Sequence, residues 1–132
     1  MEFKETAVSA MEFNPFDKIS KQWMLVTAGD TESSNTMTAS WGGVGIMWGK
    51  PVATVYIRPQ RYTKEFIDKN EYFTLSFLPE EYRKALNVCG SVSGRNVADK
   101  WQEAGLHPVE IDGTTAVEEA EEVFVCRKLY AQ

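Results

Sequence analysis

Segments that read as strands follow one another along this chain with only loops or short helical stretches between them, and no regular β–α–β alternation joins them. Such a chain does not fit a parallel doubly wound sheet, in which every strand needs a crossover helix. The clearest strand is PVATVYIR at 51–58, which is β-branched, aromatic and nearly uncharged. Its proline comes first, where a missing N–H is tolerated. KQWMLVTA at 21–28, the short apolar stretch 45–48, YFTLSFL at 72–78 and the segment 123–130 read the same way. Between 36 and 41 the chain alternates, with Met37, Ala39 and Trp41 on one face and Thr36, Thr38 and Ser40 on the other. A polar loop at 31–35 precedes that strand, and Gly42-Gly43 reads as a turn after it.

Helical signals are fewer. Thr63 is placed to cap a helix over 64–69, with Glu65 in its first turn and Tyr62, Phe66 and Ile67 facing inward. Pro79-Glu80-Glu81 opens a second that stops before Gly90. A third starts near Asn96, with Asp99 as a capping partner and Val97, Trp101 and Ala104 on one stripe, and ends at Gly105 and Pro108. The first dozen residues read as a loosely held arm. The expected architecture is mainly β: a β-barrel with short peripheral helices in a single domain over 1–132.

Charge and composition exclude several functions. The formal net charge is −5 and no run of Lys or Arg occurs, which argues against nucleic acid. A local basic patch could still hold one small phosphorylated ligand. No stretch is apolar enough for a membrane span, and MEFKETAVSAMEF lacks the apolar centre of a signal peptide, so a cytoplasmic location is expected. Cys89 and Cys126 lie outside any CxxC pattern and read as reduced structural thiols. With His107 as the only histidine, no zinc site is expected.

Three segments could carry chemistry. Arg58-Pro59-Gln60-Arg61-Tyr62-Thr63 sets two arginines ahead of a helix N-terminus, which suits a phosphate. Pairing of both arginines with surface carboxylates explains the same residues equally well. Ser91-Val92-Ser93-Gly94-Arg95 combines small residues with one guanidinium, although taken alone it reads as a plain loop. The hydroxyl face of Thr36, Thr38 and Ser40 could line a pocket for a heteroaromatic ring or be an ordinary strand surface. Trp41 and Trp48 read as core or interface residues. No P-loop, no G-x-G-x-x-G and no carboxylate placed to orient His107 is found. An enzyme of this sequence would therefore draw its reactivity from a bound cofactor.

NTMTASWGG, IRPQRYT and CGSVSGRNVADKW followed by GL together resemble the flavin reductase-like family, particularly its flavoredoxin-type members, over the stretch from about 13 to the end. The resemblance implies an FMN-binding split β-barrel of Greek-key type, acting as a homodimer with FMN near the subunit interface. Thr36, Met37, Thr38, Ala39 and Ser40 would run along the isoalloxazine ring. Arg58, Arg61 and Thr63, beside Tyr62, would serve the phosphate end. Ser93, Gly94 and Arg95 would close over the flavin or its ribityl chain, with Asp99 and Lys100 supporting that loop. The implied activity passes reducing equivalents from NAD(P)H through FMN to free flavin or another acceptor. Its alternatives are a non-enzymatic FMN-binding electron carrier and a barrel that has lost its cofactor. The chain departs from the pattern in two places. Asn96 stands where an aspartate is frequent, and further strand and helix are expected after CRKLYAQ, so a truncated or compact C-terminal end is expected.

Overall fold

The computed structural model describes residues 3–30 and 32–132. Thr31, at the head of the expected polar loop, lies outside them. A four-stranded antiparallel sheet in the order β2-β1-β5-β8 forms the frame: β1 is Met24–Gly29, β2 Ser34–Ala39, β5 Tyr72–Phe77 and β8 Glu122–Arg127. β1 is buried along its whole length because both faces of the sheet are covered there. Met24, Val26 and Ala28 pack with Met37, Leu75, Phe77 and Ile67 on one side. Leu25 packs with Leu78, Leu86, Cys89 and Val117 on the other.

The strands expected from sequence are present, with shifted ends. The 51–58 stretch contributes only Lys50–Val55, as β4, and the 45–48 stretch widens into β3, Gly42–Met47. Gly42-Gly43 is therefore not a turn but the start of β3. The reason is a close approach between strands, because a Cβ at Gly42 would lie 2.4 Å from the Thr54 carbonyl oxygen. That atom belongs to the backbone and cannot swing away. Gly42→Ala is accordingly expected to lower unfolding free energy by about 1–3 kcal/mol, the range for overpacking, as read from urea unfolding. The actual hairpin turn falls at Trp48-Gly49, both at positive φ (52° and 74°), the conformation that suits a two-residue hairpin. A second hairpin, β6 (Pro108–Ile111) with β7 (Thr114–Val117), was not expected from sequence. Its Asp112-Gly113 turn, again with both φ positive, carries the signal that marks it. β7 is buried, with Thr115 donating to the Gly29 carbonyl and accepting at its own carbonyl from Thr74.

The helices also differ in detail. A short α1 (Pro15–Asp17), capped by Asn14, leads into a wide helical turn over Lys18–Gln22. α2 spans Tyr62–Lys69 with Arg61 as its cap residue, so Thr63 lies inside the helix rather than before it. The Thr63 hydroxyl is fully buried and accepts from Asn35 Nδ2 at 2.7 Å, a partner that draws it inward. After a turn at Glu80–Tyr82, α3 runs over Arg83–Ser91, straight through Gly90. Gly90 serves helix–strand packing rather than a stop, since a Cβ there would meet the Thr38 side chain of β2 at 3.4 Å. α4 is only Lys100–Ala104, and Asp99 itself is the N-cap, accepting from the Gln102 amide at 3.1 Å. Gly105 closes it in the left-handed conformation. The N-terminal arm is mostly exposed, though Phe3 packs on the second apolar cluster and Phe13 on the first. No helix among the described residues is long and apolar enough to cross a membrane.

Candidate functional site

β2 is an edge strand, paired only with β1, and its outer edge borders an open depression of about 140 Å³. Met37, Thr38, Ala39, Ser40 and Trp41 form one wall of it. Tyr56, Arg58 and Arg61, from the segment joining β4 to α2, form the other. Six residues expected from sequence thus meet in one place: four from the hydroxyl-bearing strand and both arginines. Trp41, read as a core or interface residue, and Tyr56, read only as part of a strand, join them.

The remaining expected residues are placed elsewhere. Thr36 is buried behind the strand, where its hydroxyl pairs with Thr27 at 2.9 Å across the β1–β2 register. Thr63 is spent on Asn35. The Thr38 hydroxyl donates to the Leu86 carbonyl of α3 and keeps only acceptor capacity for a ligand. Tyr62, Ser93, Gly94 and Arg95 sit together on the other flank of the 58–61 turn, outside the depression.

The electrostatics of the depression are one-sided. Arg61 is half-buried and donates through Nη2 to the Cys89 carbonyl at 3.2 Å. Burial, and then the nearby Arg58, lower its pKa. Among the described residues neither arginine has a carboxylate within ion-pair distance, although acidic residues outnumber basic ones nineteen to fourteen. Among the described residues, two guanidinium groups without carboxylate partners beside the outer edge of β2 can take an anion.

Lys100 lies just behind, 5% exposed, and among the described residues it has neither an ion-pair nor a side-chain hydrogen-bond partner. Burial pushes its ammonium down to about 8, with Cys89 opposing and Arg61 adding to the shift. The unfolded chain, with its lysine at 10.5, therefore binds more protons than the folded one between pH 8 and 10.5, and stability rises with pH over that window. Cys89 and Cys126 act the other way between pH 9 and 11, because burial pushes both thiols up to about 11. Thermal midpoints are expected to climb from pH 8 to 9 and to fall above it. Lys100→Met should abolish the climb and raise stability at pH 7 by about 2–3 kcal/mol.

Other candidate chemistry is absent from the depression. His107 is oriented by a carboxylate after all, its Nδ1 lying 2.5 Å from Glu119, which raises its pKa. Sequence could not show this pairing, because β6 and β7 fold His107 back onto Glu119 across twelve residues. The pair is exposed on the histidine side and does not line the depression. His107, Glu118 and Glu119 are the one cluster among the described residues with metal-ligand geometry, and Glu119 already engages both the ring and the main-chain N–H of His107. Both cysteines are free.

Comparison with known proteins gives a consistent result. The family model described as a flavin reductase like domain matches residues 16–130. The flavoredoxin of Desulfovibrio vulgaris (Miyazaki F) superposes with a TM-score of 0.75 at 25% identity, covering 96% of this chain and 68% of its own. An FMN-binding domain of a flavin reductases-like enzyme from Shewanella baltica gives 0.75 at 21%, covering 88% of this chain and 64% of its own. A split-barrel-domain protein from Shewanella frigidimarina gives 0.72 at 18%, over 100% and 70%. The chain thus spans about two thirds of the length of each, and less than that for the S. baltica protein. No curated protein matches it by sequence. The likenesses establish the split-barrel fold, in agreement with sheets that remain separate rather than closing into one barrel.

Proposed function

Because the chain belongs to the flavin reductase-like domain family, we propose that it binds FMN in the depression between β2 and the 58–61 turn and works as an oxidoreductase of the flavin reductase type. The observation that carries this reading is the pair of arginines that, among the described residues, have no carboxylate partner beside the outer edge of β2. Arg58 and Arg61 would hold the phosphate. The main-chain groups from Met37 to Ser40 have no strand partner on their outer side and would meet the polar edge of the ring. Thr36 and Thr63 would contribute through packing, since their hydroxyls are engaged internally.

FMN, when bound, would supply the redox chemistry between NAD(P)H and free flavin or another acceptor. The residues of the chain need only bind, orient and keep water from one face of the ring. Among the described residues no histidine or carboxylate lines the depression, which suits a reaction without a side-chain acid or base. The D. vulgaris relative is a flavoredoxin, so a non-enzymatic carrier is the second reading. Steady-state NAD(P)H oxidation with added free FMN separates the two. Turnover supports the reductase, and bound FMN without turnover supports the carrier.

The same reading includes a homodimer. Val44 and Ile46 lie on the exposed face of β3, Trp48 stands at the tip of the hairpin 89% exposed, and Trp41 and Tyr56 continue this apolar surface to the rim of the depression. A second copy docked there would bury the patch and enclose the flavin. Free thiols fit a reducing cytoplasmic setting.

A further inference from the structure

Arg95 belongs to the Ser-Gly-Arg loop expected to close over the cofactor, yet its side chain is committed elsewhere. Its Nη1 donates to the Gln60 carbonyl at 3.0 Å, its Nη2 pairs with Glu65 in the first turn of α2, and its guanidinium lies 4.9 Å from the centre of the Tyr62 ring. These three partners flank Arg61 in sequence and bracket the turn in which the Arg61 amide donates to the Arg58 carbonyl at 3.1 Å. The loop is seated by Gly94, where a Cβ would come within 2.4 Å of Asn35 Oδ1 and 2.8 Å of the Tyr62 ring. Asn35 in turn ties the loop to α2 through Thr63. One planar fork therefore spans the turn on the flank opposite the depression.

We infer that Arg95, held by Glu65, is a positioning residue that clamps the 58–61 turn so that Arg58 and Arg61 face an anionic group in the depression, and that it does not itself touch the cofactor. The inference rests on the FMN reading for the identity of that anion, but the clamp itself is a property of the chain alone. A guanidinium suits the task because its donors are fixed in one plane and can satisfy a carbonyl and a carboxylate at once while stacking on a ring. A lysine cannot do all three. Both ends of the Arg95–Glu65 pair are nearly half exposed, so the pair orients the turn while adding little to global stability.

The test uses the full chain with FMN and riboflavin, which lacks the phosphate, together with hydrogen exchange at the Arg61 amide. Arg95→Ala and Glu65→Ala should each speed exchange at that amide without lowering the global unfolding midpoint. Both should weaken FMN binding by about tenfold, the scale of one charged hydrogen bond, and leave riboflavin binding unchanged. Arg95→Lys should not restore FMN affinity, and Arg61→Ala should cost less in the Arg95→Ala background than alone. Unchanged exchange at the Arg61 amide overturns the clamp whatever the ligand. Equal losses for FMN and riboflavin would instead put Arg95 on the ring or the ribityl chain. A wild-type protein that binds neither flavin overturns the FMN reading, and the exchange result still decides the clamp.

Discussion

Replacing Arg61 with alanine is expected to raise the dissociation constant for FMN by about ten- to a hundredfold, the worth of a hydrogen bond to a charged group. Arg61 is half-buried, and its guanidinium is tied to the Cys89 carbonyl, so little freedom is left to lose when an anion arrives. No carboxylate among the described residues competes for it. Arg58 is exposed and carries more rotamer entropy into the complex, so Arg58→Ala should cost less. Arg61→Lys should recover only part of the loss, because an ammonium cannot hold the Cys89 carbonyl and a phosphate in one plane. Isothermal titration of the three variants checks the order. An FMN constant unchanged in Arg61→Ala would show that the phosphate lies elsewhere.

The second large effect concerns assembly. Ile46 is 73% exposed on β3, and Val44, Trp48, Trp41 and Tyr56, on the same hairpin and its two flanks, are exposed as well. Single exposed apolar residues are ordinary, but several along one hairpin beside the proposed flavin site fit the proposed interface. An unpaired carboxylate buried in such an interface costs several kcal/mol. Ile46→Glu is therefore expected to sediment as a monomer at micromolar concentrations where the wild type is a dimer. Its FMN affinity should fall as well, because Trp41 and Tyr56 belong to both the patch and the rim of the depression. Its unfolding midpoint as a monomer should be little changed, since the site is on the surface. A monomeric wild type, or a dimeric Ile46→Glu, would contradict the proposed interface.

How much of this was legible in the sequence depends on the range of the interaction involved. β-branched, nearly uncharged runs at 51–58 and 72–78 announced strands because that signal is local. The arginine pair read equally as an anion site or as surface ion pairs, and among the described residues the fold leaves both arginines without a carboxylate. The Gly42-Gly43 reading failed because a diglycine signals either a turn or a close strand approach, and only Thr54, across the hairpin, decides between them. The alternation at 36–41 suggested a uniform hydroxyl face. In the fold, Thr27 and Leu86 take up two of those hydroxyls, from partners nine and forty-eight residues away. Thr63 looked like a cap because it precedes a helical pattern, yet Asn35 draws it inside α2. The Asp112-Gly113 turn was a local signal that was present and overlooked. The side-chain positions that sequence misplaced are those set by contacts across the sheet.

The account stands most directly on whether this chain holds a flavin at all. A visible absorption spectrum of the purified protein, taken as isolated and again after incubation with FMN and removal of unbound ligand, decides it. A flavin-binding chain is expected to be yellow with about one FMN per chain, and Arg61→Ala to lose that colour under the same wash. A folded protein that stays colourless after reconstitution would contradict it.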